Sequence, residues 1–310
     1  MRDRRIVSGW FPCGCALGVI FLGGSFPQAS AAAVPIEIGG GRIEIVFPED
    51  DSDFPRALKR EWVATAAGAV TKYYGRFPVP HVFVRIRAVE GNRIDSGKTF
   101  GTRNGGVITV SVGRSTNAAH FNSDWLMTHE MVHLAFPSVP DEHHWIEEGL
   151  ATYIEPIARV QAGNLQARQV WSDLVRDLPQ GLPETGDRGL DFTHTWGRTY
   201  WGGALFCLLA DVEIHRQTAN AKGLRDALRG ILEAGGTISS DWNLERALRI
   251  GDEATGVSVL QELYAQMRSA PRPVDLDQLW HKLGIERQGA TVILHDDAPL
   301  ADTRKAIIPE

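Results

Sequence analysis

Cysteine is almost missing from this chain: three in 310 residues, at positions 13, 15 and 207. Two of the three sit in an apolar N-terminal segment, so past residue 33 only Cys207 remains and no internal disulfide can form. Cys207 lies in an apolar helical run and reads as a small core residue. There is no basic run either. Lys and Arg number 32 against 38 Asp and Glu, a formal net charge of −6, which makes nucleic acid a poor partner. No internal repeat, low-complexity tract or long Pro/Ser linker interrupts the sequence. The length therefore suits one large domain or two closely packed ones, with 43% hydrophobic and 23% charged residues of ordinary globular proportion.

The first thirty-odd residues stand apart. "MRDRR" is basic, "IVSGWFPCGCALGVIFLGG" is apolar, and "PQASAAA" offers small-residue cleavage sites after Ala31 or Ala33. That order is expected of a secretory signal peptide over residues 1–33, placing the mature chain outside the cell, in the periplasm or in the cell envelope. A retained anchor is the alternative, and Pro12 and several Gly argue against it. Neither Cys13 nor Cys15 has a convincing lipoprotein context. Cleavage removes Arg2, Arg4 and Arg5 together with Asp3, taking the net charge from −6 to −8 and leaving no stable membrane span.

Beyond the leader, "PIEIGGGRIEIVFP" (35–48) reads as two short strands around a Gly turn, and 55–77 has helical spacing. "HVFVRIRAVE" (81–90) and "GGVITVSVGR" (105–114) alternate apolar and polar residues as strands do. From Ser123 the pattern turns helical, over 123–136, 144–160, 164–177, 197–217, 221–233, 256–268 and around 275–283, with a late strand at 290–296. Strands followed by helices predict an α+β fold over residues 34–310, with a sheet-rich lobe at 34–121 and a helical lobe at 122–310. A site between two such lobes would be a groove.

At that boundary lies "SDWLMTHEMVHLAFP" (123–137), an apolar helix interrupted by His129, Glu130 and His133. Ser123 or Asp124 suits its N-cap, and Pro137 ends it. His129 and His133 are four apart, so both rings leave one face, and each imidazole can reach one ion at about 2.0–2.1 Å. Glu130 lies about 100° around the helix, beside that ion. H-E-x-x-H in this form means two zinc ligands and a general base. The plainer reading is a pair of core histidines bonded to backbone or water.

Zinc poised for catalysis needs a third protein ligand and an open position. The next block, "DEHHWIEEGLATYIEP" (141–156), contains "WIEEGLATYIE", which resembles the W-x-x-E-G-x-A-x-Y-x-E signature of the gluzincin metallopeptidases. The resemblance implies a thermolysin-like catalytic domain in which a glutamate of this second helix completes the zinc site. Aligned on Trp145 and Gly149, that ligand is Glu148 and not Glu147, fourteen residues after His133. Thr152 and Glu155 lie on the same face as Glu148 and are candidates to hydrogen-bond a ligating imidazole. His143 and His144 read as rim residues, and Glu147 as a surface residue.

"RTYWGGALFCLLADVEIHRQ" (198–217) resembles a segment further along the same clan, especially in the glycyl aminopeptidase-like family. There a tyrosine donates to the oxyanion of the tetrahedral intermediate, a role that falls on Tyr200. A phenol suits it as a neutral donor at neutral pH. Asp211 reads as part of a buried ion pair, and His194 as a neighbour with no demanded role. The resemblance also makes "GGVITVSV" the edge strand that pairs with substrate backbone, with the Gly-rich "FGTRNGG" (100–106) leading into it; an ordinary β-turn is the alternative for the latter. The similarity spans roughly residues 100–217.

Two departures stand out. The G-A-M-E-N motif of aminopeptidase N-like enzymes is missing, and Gly202 stands where Y-x-K-G has Lys. The expectation is a single-zinc peptidase with His129, His133 and Glu148 as ligands, Glu130 as base, Tyr200 as oxyanion donor, and a peptide or protein substrate. The alternatives are a catalytically idle peptide-binding protein of the same fold and a zinc hydrolase of a non-peptide substrate.

Overall fold

The computed structural model describes residues 35–47 and 56–309, so the expected leader lies outside the described residues. Strands β1 (Ile36–Ile38) and β2 (Gly41–Val46) form an antiparallel hairpin. Helix α1 (Arg56–Tyr74) follows, and β3 (His81–Val89) lies parallel to β2. The chain then steps out to β4 (Ile94–Thr102) and returns as β5 (Gly105–Gly113) between β4 and β3, giving the order β1-β2-β3-β5-β4. In the three central strands alternate residues are buried: Ile43 and Ile45, then Val82, Val84 and Ile86, then Ile108, Val110 and Val112. Their neighbours Arg42, Arg85 and Arg87 are exposed, so only one face of the sheet enters the core.

The edge differs from the expectation. Residues 105–113 form an interior strand, parallel to β3 and antiparallel to β4, and on this side of the sheet it is β4 that has no further strand partner among the described residues. Strand β4 reads "IDSGKTFGT", polar and twice interrupted by Gly, with a register irregularity between Asp95 and Lys98. An edge strand with no fully buried residue has no need of apolar alternation, and polar residues there discourage unwanted pairing. That is why its periodicity did not register.

The helical part begins with α2 (Ala118–Ser123) and α3 (Leu126–His133), not one helix over 123–136. Asp124 is extended between them, and its carboxylate accepts from Met127 N at 3.0 Å and from Trp62 Nε1 at 2.8 Å. It caps α3 from just outside. Helices α4 (His144–Gln161) and α5 (Ala167–Asp177) follow. A single π-helical turn, Arg198–Gly202, leads into α6 (Gly203–Gln217). Then come α7 (Leu224–Glu233), α8 (Leu244–Thr255), α9 (Val259–Met267) and α10 (Leu276–Leu283). The hairpin of β6 (Ile285–Gln288) and β7 (Thr291–Leu294) and helix α11 (Ala301–Ile307) complete an α+β fold. Strand β6, α8 and α11 are additions to the sequence reading. None of the described helices is long and apolar enough to cross a membrane.

Helix α4 is the centre of the helical part, packed on α1, α3 and α6. It meets α6 at two glycines: a Cβ on Gly149 would lie 2.3 Å from the Gly203 carbonyl carbon. Cys207 is buried on α6 as expected. Asp211, on the same helix, accepts from Tyr153 Oη at 3.0 Å and Leu224 N at 2.7 Å, with His215 Nε2 at 3.5 Å. It ties α4, α6 and α7 together from inside the core.

Candidate metal centre

The two histidines of α3 and one glutamate of α4 converge. His129 Nε2 lies 3.1 Å from Glu148 Oε2, and His133 Nε2 lies 3.7 Å from the same oxygen. One ligand atom from each residue falls within 4.8 Å of the others. Two bonds of about 2.0–2.1 Å meeting at a tetrahedral angle hold their donor atoms roughly 3.3 Å apart, so the spacing fits a shared ion. Two imidazoles and one carboxylate also leave a fourth position open. His129 and Glu148 are buried and His133 is half-buried, at a depth where three unshared polar groups would be costly.

Charge reinforces the arrangement. Burial pushes the His133 imidazole down to about 4, against the attraction of Glu148, so it is neutral and its lone pair is free at neutral pH. Burial works against the Glu148 carboxylate too, but hydrogen bonds from His129 and His144 outweigh it and hold the group well below its usual range. The exposed His144 bonds Glu147 through Nδ1 at 3.1 Å and reaches Glu148 Oε1 through Nε2 at 3.3 Å. These bonds, to Glu147 first, raise its own pKa. The choice of Glu148 over its neighbour thus has a geometric basis: Glu147 turns to His144 and to Val139 N at 3.3 Å.

Glu130 is buried beside this cluster, and burial raises its pKa. Edge strand β4 holds it. Thr99 Oγ1 donates to Glu130 Oε2 at 2.6 Å and lies 2.9 Å from the Glu130 carbonyl. A Cβ on Gly97 would sit 2.3 Å from Glu130 Oε1, so only glycine leaves room for the carboxylate. Gly97 and Thr99 are two apart and face the same way, as strand residues do. Nothing in the residues before α3 announced this pair.

Tyr200 reaches the site from the π-helical turn. Its ring lies 6.4 Å from that of His129, 19° from parallel. Burial first, and then the Glu148 carboxylate, raise its phenol above the ordinary value, so it remains a neutral donor. Arg198 anchors the turn through a buried ion pair with Asp187 at 2.7 Å and a hydrogen bond to the Gly181 carbonyl.

Other expectations resolve differently. His143 is not on the rim: it is buried, with Nδ1 3.0 Å from Asp191, which also accepts from Trp145 Nε1 and Tyr264 Oη. Glu155 accepts from Arg159 at 2.8 Å and not from an imidazole. His194 is exposed. Two cavities lie apart from the cluster, one of about 280 Å³ behind α3 beside Trp62 and Arg159, the other of about 660 Å³ near Trp280.

The fold has solved counterparts. That of an aminopeptidase N family protein from Idiomarina loihiensis is similar over 81% of this chain and 49% of that one, at 13% identity and a TM-score of 0.59. An M1 zinc metallopeptidase from Deinococcus radiodurans is similar over 78% and 53%, at 16% identity and a TM-score of 0.48. The first likeness carries the shared α+β fold; the second is too loose to add to it. The chain spans about half the length of each. No family model and no curated protein matches the chain.

Proposed function

We propose that the protein is a zinc metallopeptidase whose metal is held by His129, His133 and Glu148. The observation that carries this reading is the convergence of three donors from two helices within 4.8 Å, next to a buried carboxylate on Glu130. Zinc bound there would supply Lewis acidity to a scissile carbonyl and to a water. Glu130 accepts the proton of the attacking water and passes it to the leaving amine. Thr99 holds its carboxylate by a hydrogen bond, and Gly97 leaves the space that carboxylate occupies. Tyr200 donates its phenolic hydrogen to the oxygen on which negative charge develops. The unpaired side of β4 suits an extended peptide added as a further strand, which brings the peptide backbone alongside Glu130.

Glu130→Gln keeps the shape of the side chain and removes its basicity. The variant is expected to bind zinc stoichiometrically, by mass-spectrometric metal analysis, while hydrolysis of a mixed peptide library falls roughly 100- to 10,000-fold. Full activity in that variant would remove the general-base role. Peptide binding without cleavage, unaffected by chelator, would instead favour the idle binding protein. A secreted or cell-envelope setting belongs to the same proposal, supported by the leader-like residues 1–33.

A further inference from the structure

Large apolar side chains left in water invite an explanation when they cluster. Trp62, Trp145, Trp171, Trp242 and Trp280 are buried, whereas Trp125 and Trp196 are 50% and 51% exposed. Both exposed indoles belong to the candidate centre. Trp125 meets the His129 ring edge-on at 5.3 Å between centroids. Trp196 lies 5.6 Å from the Tyr200 ring, 26° from parallel, and Tyr200 in turn faces His129. The indoles therefore stand at the two ends of a row of rings, one at the residue before α3 and one before the turn that leads into α6, with the metal-facing His129 between them. Trp125 makes no side-chain cap bond at the start of its helix, so capping does not explain it.

We propose that Trp125 and Trp196 are specificity-determining residues that grip bulky apolar side chains on the two sides of the peptide bond to be cut. This rests on the peptidase reading of the same site. An extended peptide advances about 3.3 Å per residue and turns every second side chain to the same face. Residues i and i+2 straddle the bond between i and i+1, so both can reach the face that carries the indoles. Each indole then loses its contact with water on substrate binding, and an apolar side chain loses its own, which favours Phe, Leu or Met over Ala or Ser at both positions.

The test uses the full mature chain, zinc-loaded, in two arms. On the Glu130→Gln background, calorimetry compares a peptide with Phe at i and i+2 against its Ala counterpart. On the active chain, mass spectrometry maps cleavage sites in a mixed library. The Phe peptide is expected to bind on the order of tenfold more tightly. Trp125→Ala and Trp196→Ala each shrink that ratio, their combination abolishes it, and Trp→Phe at either position restores most of it. Library cuts are expected after a bulky apolar residue i that is followed by another at i+2, and each Ala variant relaxes the preference at one position only. An unchanged ratio in Ala variants that still load zinc and still unfold cooperatively overturns this inference and leaves the peptidase reading intact. A ratio that collapses as expected, in a chain that cuts no library peptide, overturns the peptidase reading while retaining the indoles as peptide-binding determinants.

Discussion

Glu155 shows how one residue can be placed correctly and still play another part. It shares a face of α4 with Glu148, yet its carboxylate is buried against Arg159, 2.8 Å away. Burial raises its pKa to about 7, although the Arg159 pairing pulls the other way. In the metal-free chain the folded state therefore holds this proton more tightly than the unfolded state, whose pKa stays near 4.5. The folded state binds more protons between those values, so stability from this group is greatest below pH 4.5 and declines as pH rises toward 7. The difference amounts to about 3 kcal/mol at most. The depressed pKa of His133 acts in the opposite sense over much of the same window, so the decline should appear in the difference between urea titrations of the metal-free wild type and of Glu155→Gln at several pH values. An equal slope in both would refute the assignment. His129, Glu130 and His133 were readable because helical spacing alone puts two rings on one face. The partners of Glu155 and His143 were not, because they depend on segments far away in sequence.

At the level of elements, the glycine pair between α4 and α6 sets how closely Glu148 and Tyr200 approach. A methyl group on Gly149 would fall 2.3 Å from the Gly203 carbonyl carbon, and one on Gly203 would fall 2.1 Å from the Trp145 carbonyl oxygen. Backbone atoms cannot give way as a flexible side chain can, so the helices must separate. Gly149→Ala is expected to lose about 1–3 kcal/mol of stability and Gly203→Ala a similar amount, measured by denaturant unfolding. Wild-type stability in both variants would show that the helices are further apart. Helices α4 and α6 were legible from their apolar spacing, and Gly149 stood out only through the motif that contains it. Strand β4 was not legible. It is polar, bulged and nowhere fully buried, yet it supplies both Thr99 and Gly97 to Glu130.

A metal at the proposed site would stabilise the whole molecule, because the residues proposed to hold it come from separate helices. His129 and His133 sit on α3 and Glu148 on α4, so an ion bound by all three exists only in the folded chain. Zinc at a thousandfold excess over its dissociation constant adds about 4 kcal/mol to the folded state. For a chain of this size that corresponds to a rise in Tm on the order of 10 °C. Calorimetry with zinc and with chelator should show that shift, and His133→Ala should largely remove it. Equal Tm values under both conditions would count against the site.

Spacing within one helix was enough to put the His129 and His133 rings on one face, whereas Glu148 and Tyr200 were named by the resemblance of the blocks around them to known metallopeptidase motifs. Periodicity reports which side of a strand or helix avoids water, and that follows from local chain geometry. It does not report which neighbour covers that side. The edge position of β4, the burial of His143 against Asp191, the Thr99 clasp on Glu130 and the approach of the Tyr200 ring to His129 all arise between segments distant along the chain. Those contacts exist only once the core has closed.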